Sequence, residues 1–121
     1  MSAEVHTAIF SFTQSANWTC IGGYVFVTPK GVLVEMKPAF NNQWHICLIV
    51  TPRESRKNGF ASDALRRILQ AADEAGAVLS LIATPTKGSS IRQRDLIKWY
   101  SRNGFIQEVQ SSTMVRHPRK R

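Results

Sequence analysis

A basic, glycine-containing stretch, "RKNGFASDAL" at residues 56–65, carries the residues best suited to binding an anion. It lies between a long apolar run and an amphipathic run, where a helix is predicted to begin. The first N–H groups of a helix lack intrahelical partners and lie at the positive end of the helix dipole, which favours a bound phosphate. Gly59 has no Cβ, Ala61 is small, and Arg56 and Lys57 add positive charge. The stretch therefore predicts pyrophosphate binding by main-chain amides; the alternative is a plain turn with a solvated basic rim.

The apolar pattern around this stretch predicts strands and helices of a single domain, residues 1–121. Two continuously apolar runs, "WHICLIVTP" (44–52) and "AVLSLIATP" (77–85), are typical of strands buried on both faces. Between them, apolar residues recur at helical spacing, so we expect a helix over 62–75 that ends at Gly76. These three elements form one right-handed crossover unit.

The remaining pattern predicts more strands and a second helix. A strand is expected over 6–12, and two strands at 23–29 and 31–36 form a hairpin through the turn "TPKG". The second helix follows Ser90, which fits a capping box with Gln93, and it ends at Gly104. Residues 105–118 are predicted to form a closing strand or hairpin.

The positive charge of the chain is confined to its second part. The net charge is +8, yet Lys30 and Lys37 balance Glu4 and Glu35 within residues 1–52, so residues 53–121 carry all of it. Such a field attracts phosphates, whether of a nucleic acid or of a phosphorylated cofactor, and disfavours polycationic small substrates. The basic end of the chain, residues 115–121, is predicted to be a flexible solvated tail; a contact with nucleic acid or an acidic surface is the alternative.

Several classes of protein are not indicated. No apolar run is long enough to span a bilayer, and no secretory signal is visible at the N-terminus. Cys20 and Cys47 lack metal-site spacing and are expected to be reduced thiols. We therefore expect a cytoplasmic protein without a metal.

Two motifs of the chain resemble those of the GCN5-related N-acetyltransferase (GNAT) family. Arg56, Gly59 and Ala61 match its acetyl-coenzyme A pattern [Q/R]-x-x-G-x-[G/A], and Tyr100, Gly104 and Phe105 in "DLIKWYSRNGF" match its second signature. The resemblance covers about residues 23–118, including the ending "MVRHP". It implies an α/β chain with a minimal GNAT fold: a central mixed, mostly antiparallel sheet with two main helices. The two helices that usually follow the first strand are missing, as in short phage-type members.

The resemblance also implies how acetyl-CoA, the cosubstrate, is bound. The N–H groups of Asn58, Gly59, Phe60, Ala61 and Ser62 would bind the pyrophosphate, with Arg56 and Lys57 at the rim. The backbone of Leu48, Ile49 and Val50 would pair with the pantetheine arm like an added strand.

Acetyl transfer to an amine requires a base for the amine proton and benefits from an acid for the leaving thiolate. By resemblance, Tyr100 occupies the position of the acid; the alternative is a core tyrosine. His45, eleven residues before Arg56, is spaced like the family's base, and Glu35 is the other candidate. Each could instead be a structural strand residue, and water could replace either base. Cys47 is the one plausible nucleophile, but no base-plus-orienter pair is visible for it, so direct transfer is expected.

The function expected from this resemblance is transfer of acetyl from acetyl-CoA to a primary amine. Because the pocket-forming helices are missing, an exposed protein lysine or an N-terminus suits the acceptor site better than a small molecule. The alternative is a catalytically degenerate GNAT-fold protein that binds nucleic acid or an acidic partner through its basic half. The location would be the host cytoplasm if a phage encodes the chain, and the oligomeric state stays open, a homodimer included.

Overall fold

A computed structural model describes residues 3–52, 58–85, 91–109 and 111–119 of the chain, with side chains from Thr7 onward. Its elements are α1 (Ala3–Ser15), β1 (Thr19–Gly22), β2 (Val25–Val27), β3 (Leu33–Ala39), β4 (Gln43–Val50), α2 (Phe60–Ala75), β5 (Val78–Ile82), α3 (Gln93–Arg102), β6 (Ile106–Gln107) and β7 (Thr113–Arg116). In this described part of the chain, no helix is both long and apolar enough to cross a membrane.

The strands form one mixed sheet in the order β1-β2-β3-β4-β5-β7-β6. Every neighbouring pair is antiparallel except β4 and β5, which are parallel and are joined through α2. This confirms the predicted fold class, the crossover unit and the hairpin of β2 and β3. Only Gly23 and Tyr24 separate β1 from β2, so the two helices expected to be missing after the first strand have no room there.

The strand predicted over 6–12 is wrong, because these residues belong to α1. Over seven residues the apolar pattern fits either period, but extended to Ala16 it is helical. Ile9 and Thr13 are buried, and the ring of Phe12 stacks on Trp44 at a centroid distance of 6.2 Å. The strand β1 escaped prediction because all four of its residues are exposed at the edge of the sheet.

The C-terminal end of α2 agrees with the sequence prediction, and the N-terminal end of α3 does not. Gly76 ends α2 in the left-handed conformation, as predicted, at φ 65°. The capping box predicted for α3 is wrong: Arg92 is the N-cap, without a side-chain capping bond. The Gln93 amide instead donates to the Ala83 carbonyl and to Ser112 Oγ, both at 2.9 Å, while Ser90 lies outside the described residues.

The two faces of the sheet differ in burial, because successive side chains of a strand point to opposite sides. On one face, side chains such as Trp44, Ile46 and Leu79 are buried under the helices. On the other, the alternate positions, such as His45 and Ser80, are only partly buried, so the prediction that these two strands are buried on both faces is wrong. The sheet is therefore one layer of a two-layer arrangement, and the described helices form the other.

Part of the predicted C-terminal tail is bound to the folded core. Val115 and Arg116 belong to β7, and Arg116 is buried, so the prediction of a flexible tail from residue 115 is wrong for these two residues. The backbone N–H of Arg119 donates to Asp73 Oδ1 at 2.9 Å. Lys120 and Arg121 lie outside the described residues.

Candidate active site

A cleft opens where the two parallel strands separate. β4 pairs with β5 from Gln43↔Val78 to Ile46↔Leu81, whereas β4 continues beside β3 as far as Val50, past a bulge opposite Glu35 and Met36. The cleft has a volume of about 740 Å³, which is within the range of small-molecule sites. Its lining comes from residues 46–51 along and just after β4, residues 59–62 at the N-cap and first turn of α2, Leu81, Ile82, Thr84, Pro85, Ile91 and the α3 residues Asp95, Leu96, Lys98, Trp99, Tyr100 and Arg102.

The edge of β4 supplies the residues predicted to bind the pantetheine arm. Leu48, Ile49 and Val50 all line the cleft, beyond the last pair that β4 makes with β5. An extended ligand can therefore add to β4 in the place that a neighbouring strand occupies farther back in the sheet.

The start of α2 supplies the residues predicted to bind the pyrophosphate. Gly59 is the N-cap, at φ 76° and ψ 9°, and no side chain caps the helix. A Cβ at Gly59 would meet nothing within 4 Å, so space is open beside it. Gly59, Phe60, Ala61 and Ser62 line the cleft, and Asn58 is exposed just before them. Arg56 and Lys57 lie outside the described residues.

Lys30 is a charged residue at this end of α2 that sequence reasoning missed. Its Nζ lies over the Phe60 ring, 5.6 Å from the centroid. Lys30 belongs to the turn between β2 and β3, and nothing in its local sequence indicates that the turn reaches α2. Lys98 and Arg102 of α3 also line the cleft, and their local sequence likewise does not indicate that they lie there.

Tyr100 belongs to α3, which forms one wall of the cleft. The residue is 7% exposed, and its ring packs between Trp99 and Phe105 at centroid distances of 4.8 and 5.4 Å. Burial raises the pKa of Tyr100 to about 12, so the phenol stays protonated at neutral pH. The Trp99 indole N–H donates to Ser62 Oγ at 3.3 Å, which links this wall to the first turn of α2.

His45 lies on the uncovered face of the sheet and not among the residues that line the cleft. Its Nδ1 is 3.0 Å from Ser80 Oγ, and Lys37 is its cross-strand neighbour. Burial lowers the pKa of His45 below its ordinary value of 6.5, and the charge of Lys37 lowers it further. At neutral pH and above, the imidazole is therefore neutral, which is the form a base needs.

Glu35 lies on the same face, closer to the cleft. It pairs with Leu48, which lines the cleft, whereas His45 lies on the other side of the bulge. Glu35 also acts electrostatically on Cys47: burial raises the pKa of this thiol, Glu35 raises it further, and Lys37 opposes the rise. A raised thiol pKa disfavours the thiolate that a nucleophilic cysteine needs.

The structure thus brings Tyr100 together with the predicted cofactor residues that it describes. Neither candidate base lines the cleft, although Glu35 is the cross-strand neighbour of Leu48. Cys47, which lines the cleft from the uncovered face, lies between the two groups. Both cysteines are free and exposed. Among the described residues, no cluster of three or more His, Cys, Asp or Glu could hold a metal ion.

Solved structures resemble this architecture. The anti-CRISPR protein AcrVA5 matches at a TM-score of 0.62 with 22% identity, over 74% of this chain and 93% of that protein. Ard1 from Thermoplasma volcanium matches at 0.57 with 15% identity, over 93% of this chain and 78% of Ard1. The GNAT family N-acetyltransferase YhbS from Escherichia coli, in complex with CoA, matches at 0.52 with 14% identity, over 93% of this chain and 67% of YhbS.

This chain has the GNAT fold. No protein-family model and no curated protein matches its sequence. The likeness to these solved structures confirms the fold that the two motifs predicted. Within the GNAT fold, the crossover unit of β4, α2 and β5 frames the cleft described above.

Proposed function

We propose that the protein is an acetyl-CoA-dependent N-acetyltransferase that transfers acetyl directly to a primary amine. The observation that supports this best is the combination of three features in one cleft. These are the edge of β4 that β5 leaves unpaired, the glycine-capped start of α2, and the protonated phenol of Tyr100. The first two fit an extended arm that ends in phosphates, and the third fits the departure of a thiolate.

Binding of the cosubstrate relies mostly on main-chain groups. The N–H groups of 58–62 would bind the pyrophosphate, Arg56 and Lys57 would add charge at the rim, and Leu48, Ile49 and Val50 would pair with the pantetheine arm. Lys30 supplies another cation beside the first turn of α2. The chain's part in this binding is to hold the thioester at the point where β4 and β5 separate.

The transfer itself requires two proton movements. The amine nitrogen attacks the thioester carbonyl, and its proton passes to a base, for which Glu35 and His45 are the candidates. Tyr100 would donate its phenolic proton to the sulfur as the C–S bond breaks. A phenol with a pKa of about 12 stays protonated until that moment. The phenolate then regains a proton from water.

The acceptor we propose is an exposed lysine or an N-terminus of a protein. With β2 following β1 directly, no helix between these strands encloses a pocket for a small amine. The proposal includes a cytoplasmic location, that of the host cell if a phage encodes the chain.

The competing function, nucleic-acid binding through the basic half, gains no support from the described contacts. Arg116 is engaged with Asp73 inside the protein, and Arg66 is paired with Asp63 on the surface of α2. These cations serve the fold and their own helix.

The proposal is tested at Gly59 with two variants. Gly59→Ala and Gly59→Glu share the strain of a side chain at φ 76°, about 1–2 kcal/mol, but the glutamate alone adds negative charge where the pyrophosphate would bind. We expect the affinity for CoA, measured by calorimetric titration, to fall at least about tenfold more in the Glu variant, or about 1.4 kcal/mol. Thiol release from acetyl-CoA with a lysine peptide should fall in parallel. Equal affinities in the two folded variants would remove this loop from the site, and no acetylated amine with the wild-type protein would contradict the function.

A further inference from the structure

The uncovered face of the sheet presents a continuous row of side chains across five strands. Successive pairs join Lys37 of β3 to His45 of β4, Ser80 of β5, Val115 of β7 and Ile106 of β6. We call this surface the open face. Its centre is polar, with a half-buried imidazole bonded to a hydroxyl, and its β6 end is apolar.

The described helices pack against the opposite face. Phe12 of α1 stacks on Trp44, and Asp73 of α2 binds Arg116. The carbonyl of Asn103, just after α3, accepts a hydrogen bond from Arg116 as well. On the open face, by contrast, Ile82 is 57% exposed and Ile106 is 70% exposed. Such apolar exposure on a sheet face is a feature of interaction surfaces.

The open face is continuous with the cleft. Cys47 is exposed, and the charges of Glu35 and Lys37 on the open face both act on its thiol. Cys47 also lines the cleft. Ile82 is a second residue that lines the cleft and remains exposed. The separation of β4 from β5 is therefore accessible from the open face as well as from the side of Tyr100.

We propose that the open face docks the acceptor protein, whose lysine enters between β4 and β5 past Cys47. This rests on the proposed function and adds to it the surface that selects the acceptor. The lysine nitrogen forms its bond to the acetyl carbon while the carbon–sulfur bond breaks. Glu35 or His45, both on this face, takes the ammonium proton, and the sulfur gains the proton of Tyr100.

The extent of the face favours a protein over a free amine. Ile106 lies two strand spacings, roughly 10 Å, beyond Ser80, farther than a small amine at the β4–β5 separation would extend. A second copy of the chain is a poorer occupant because the face includes Glu35, Lys37 and His45, and charged residues are depleted from the core of stable interfaces. A permanent cover would also close the entrance beside Cys47.

The experiment uses charge at the apolar end of the row. Ile106→Asp places a carboxylate on the open face, Ile106→Lys places the opposite charge there, and Gln70→Asp places the same carboxylate on the exposed side of α2. Two probes are supplied with labelled acetyl-CoA: a capped Gly-Lys-Gly peptide, and the soluble proteins of the expression host, whose labelled lysines are quantified by mass spectrometry. The molecular mass of each variant is measured in solution.

We expect both Ile106 variants to lose at least about fivefold of the labelling at lysines of folded proteins, about 1 kcal/mol. Labelling of the peptide should be unchanged in all variants, and Gln70→Asp should match the wild type with both probes. Equal protein labelling by the Ile106 and Gln70 variants would overturn the inference. So would a wild-type dimer that Ile106→Asp dissociates without loss of protein labelling. A wild-type protein that labels neither probe would instead contradict the proposed function.

Discussion

Tyr100 shows how burial sets the role open to a single residue. Its phenol is enclosed by aromatic rings in the wall of the cleft, and its pKa of about 12 keeps it in the form that donates a proton. The same burial makes it a core residue, so its packing alone fits both the proposed acid and a structural tyrosine. Function and packing must therefore be separated by a substitution that keeps the ring.

Tyr100→Phe removes the hydroxyl and leaves the aromatic contacts. If the phenol donates to the leaving sulfur, kcat should fall about 10²-fold while the affinity for CoA stays nearly constant, since an interaction of the transition state alone is lost. The measurement is steady-state thiol release with the capped lysine peptide, together with a CoA titration. Unchanged kcat alongside a lower melting temperature would leave Tyr100 with a packing role only.

His45 and Lys37 allow the base to be identified by its pH dependence. Because the pKa of His45 is lowered by burial and by Lys37, an imidazole base would give an acid limb of kcat/KM below pH 6.5. Lys37→Met removes the charge that disfavours the imidazolium, so the limb should move upward toward 6.5. The shift should be partial, because burial is the larger cause.

The control for this measurement is His45→Gln. If His45 is the base, this variant should lose the limb and most of the activity. A limb that Lys37→Met does not move, with activity abolished by Glu35→Gln instead, would assign the proton to Glu35. The position of Glu35 opposite Leu48 makes this outcome physically reasonable.

At the scale of elements, one ion pair joins α2 to β7. Arg116 donates to both carboxylate oxygens of Asp73, at 2.8 and 3.2 Å, and through Nε to the Asn103 carbonyl at 3.2 Å. The Arg116 side chain is 3% exposed. Burying a charge in this way is tolerable only while its partner is present. The pair therefore holds β7 against the helical layer. Since β6 pairs only with β7 in the described sheet, the pair also supports that edge.

Asp73→Asn should lower the free energy of unfolding by about 3–5 kcal/mol, because the buried guanidinium loses its counter-charge. The pKa of Asp73 is lowered by Arg116, so its contribution is fully present above the ordinary carboxyl range and is lost as the pH falls through the folded pKa. The difference between wild type and variant should hence shrink in acid. Urea unfolding at several pH values checks this.

The matched control is Asp63→Asn, which breaks the surface pair of Asp63 and Arg66 on the same helix. Both members of that pair are mostly exposed, so the loss should stay below about 1 kcal/mol. Equal losses in the two variants would show that the buried pair has no special role.

The elements also show what local sequence can predict. The β2–β3 hairpin, β4, α2 and β5 carry strong apolar patterns and turn residues, and each forms near its predicted place. The helix α1 was mistaken for a strand because its short apolar run fits both periods, and β1 has no buried side chain to mark it. The bulge beside Cys47 depends on pairing between strands, which no single segment specifies.

At the scale of the whole molecule, the residues proposed to bind the cofactor can be named from the sequence, whereas the face proposed to dock the acceptor cannot. Gly59 and Tyr100 belong to short motifs whose chemistry is local. The open face joins Lys37, Ser80 and Ile106, which are far apart in sequence and become neighbours only through the register of five strands. That no described helix covers this face is likewise a property of the fold and not of any single segment.

The uneven charge of the molecule should make cofactor binding depend on salt. All of the net charge of +8 belongs to residues 53–121, which contain the start of α2, and Lys30 adds a cation there from the first part. CoA is a polyanion, so its affinity should fall about tenfold between about 0.05 and about 0.5 M KCl, as the screening length shortens from over 10 Å to a few ångströms. Calorimetric titration measures this, and dephospho-CoA, which has fewer charges, should give a smaller slope. An affinity that is independent of salt for both ligands would mean that main-chain and apolar contacts alone hold the cofactor.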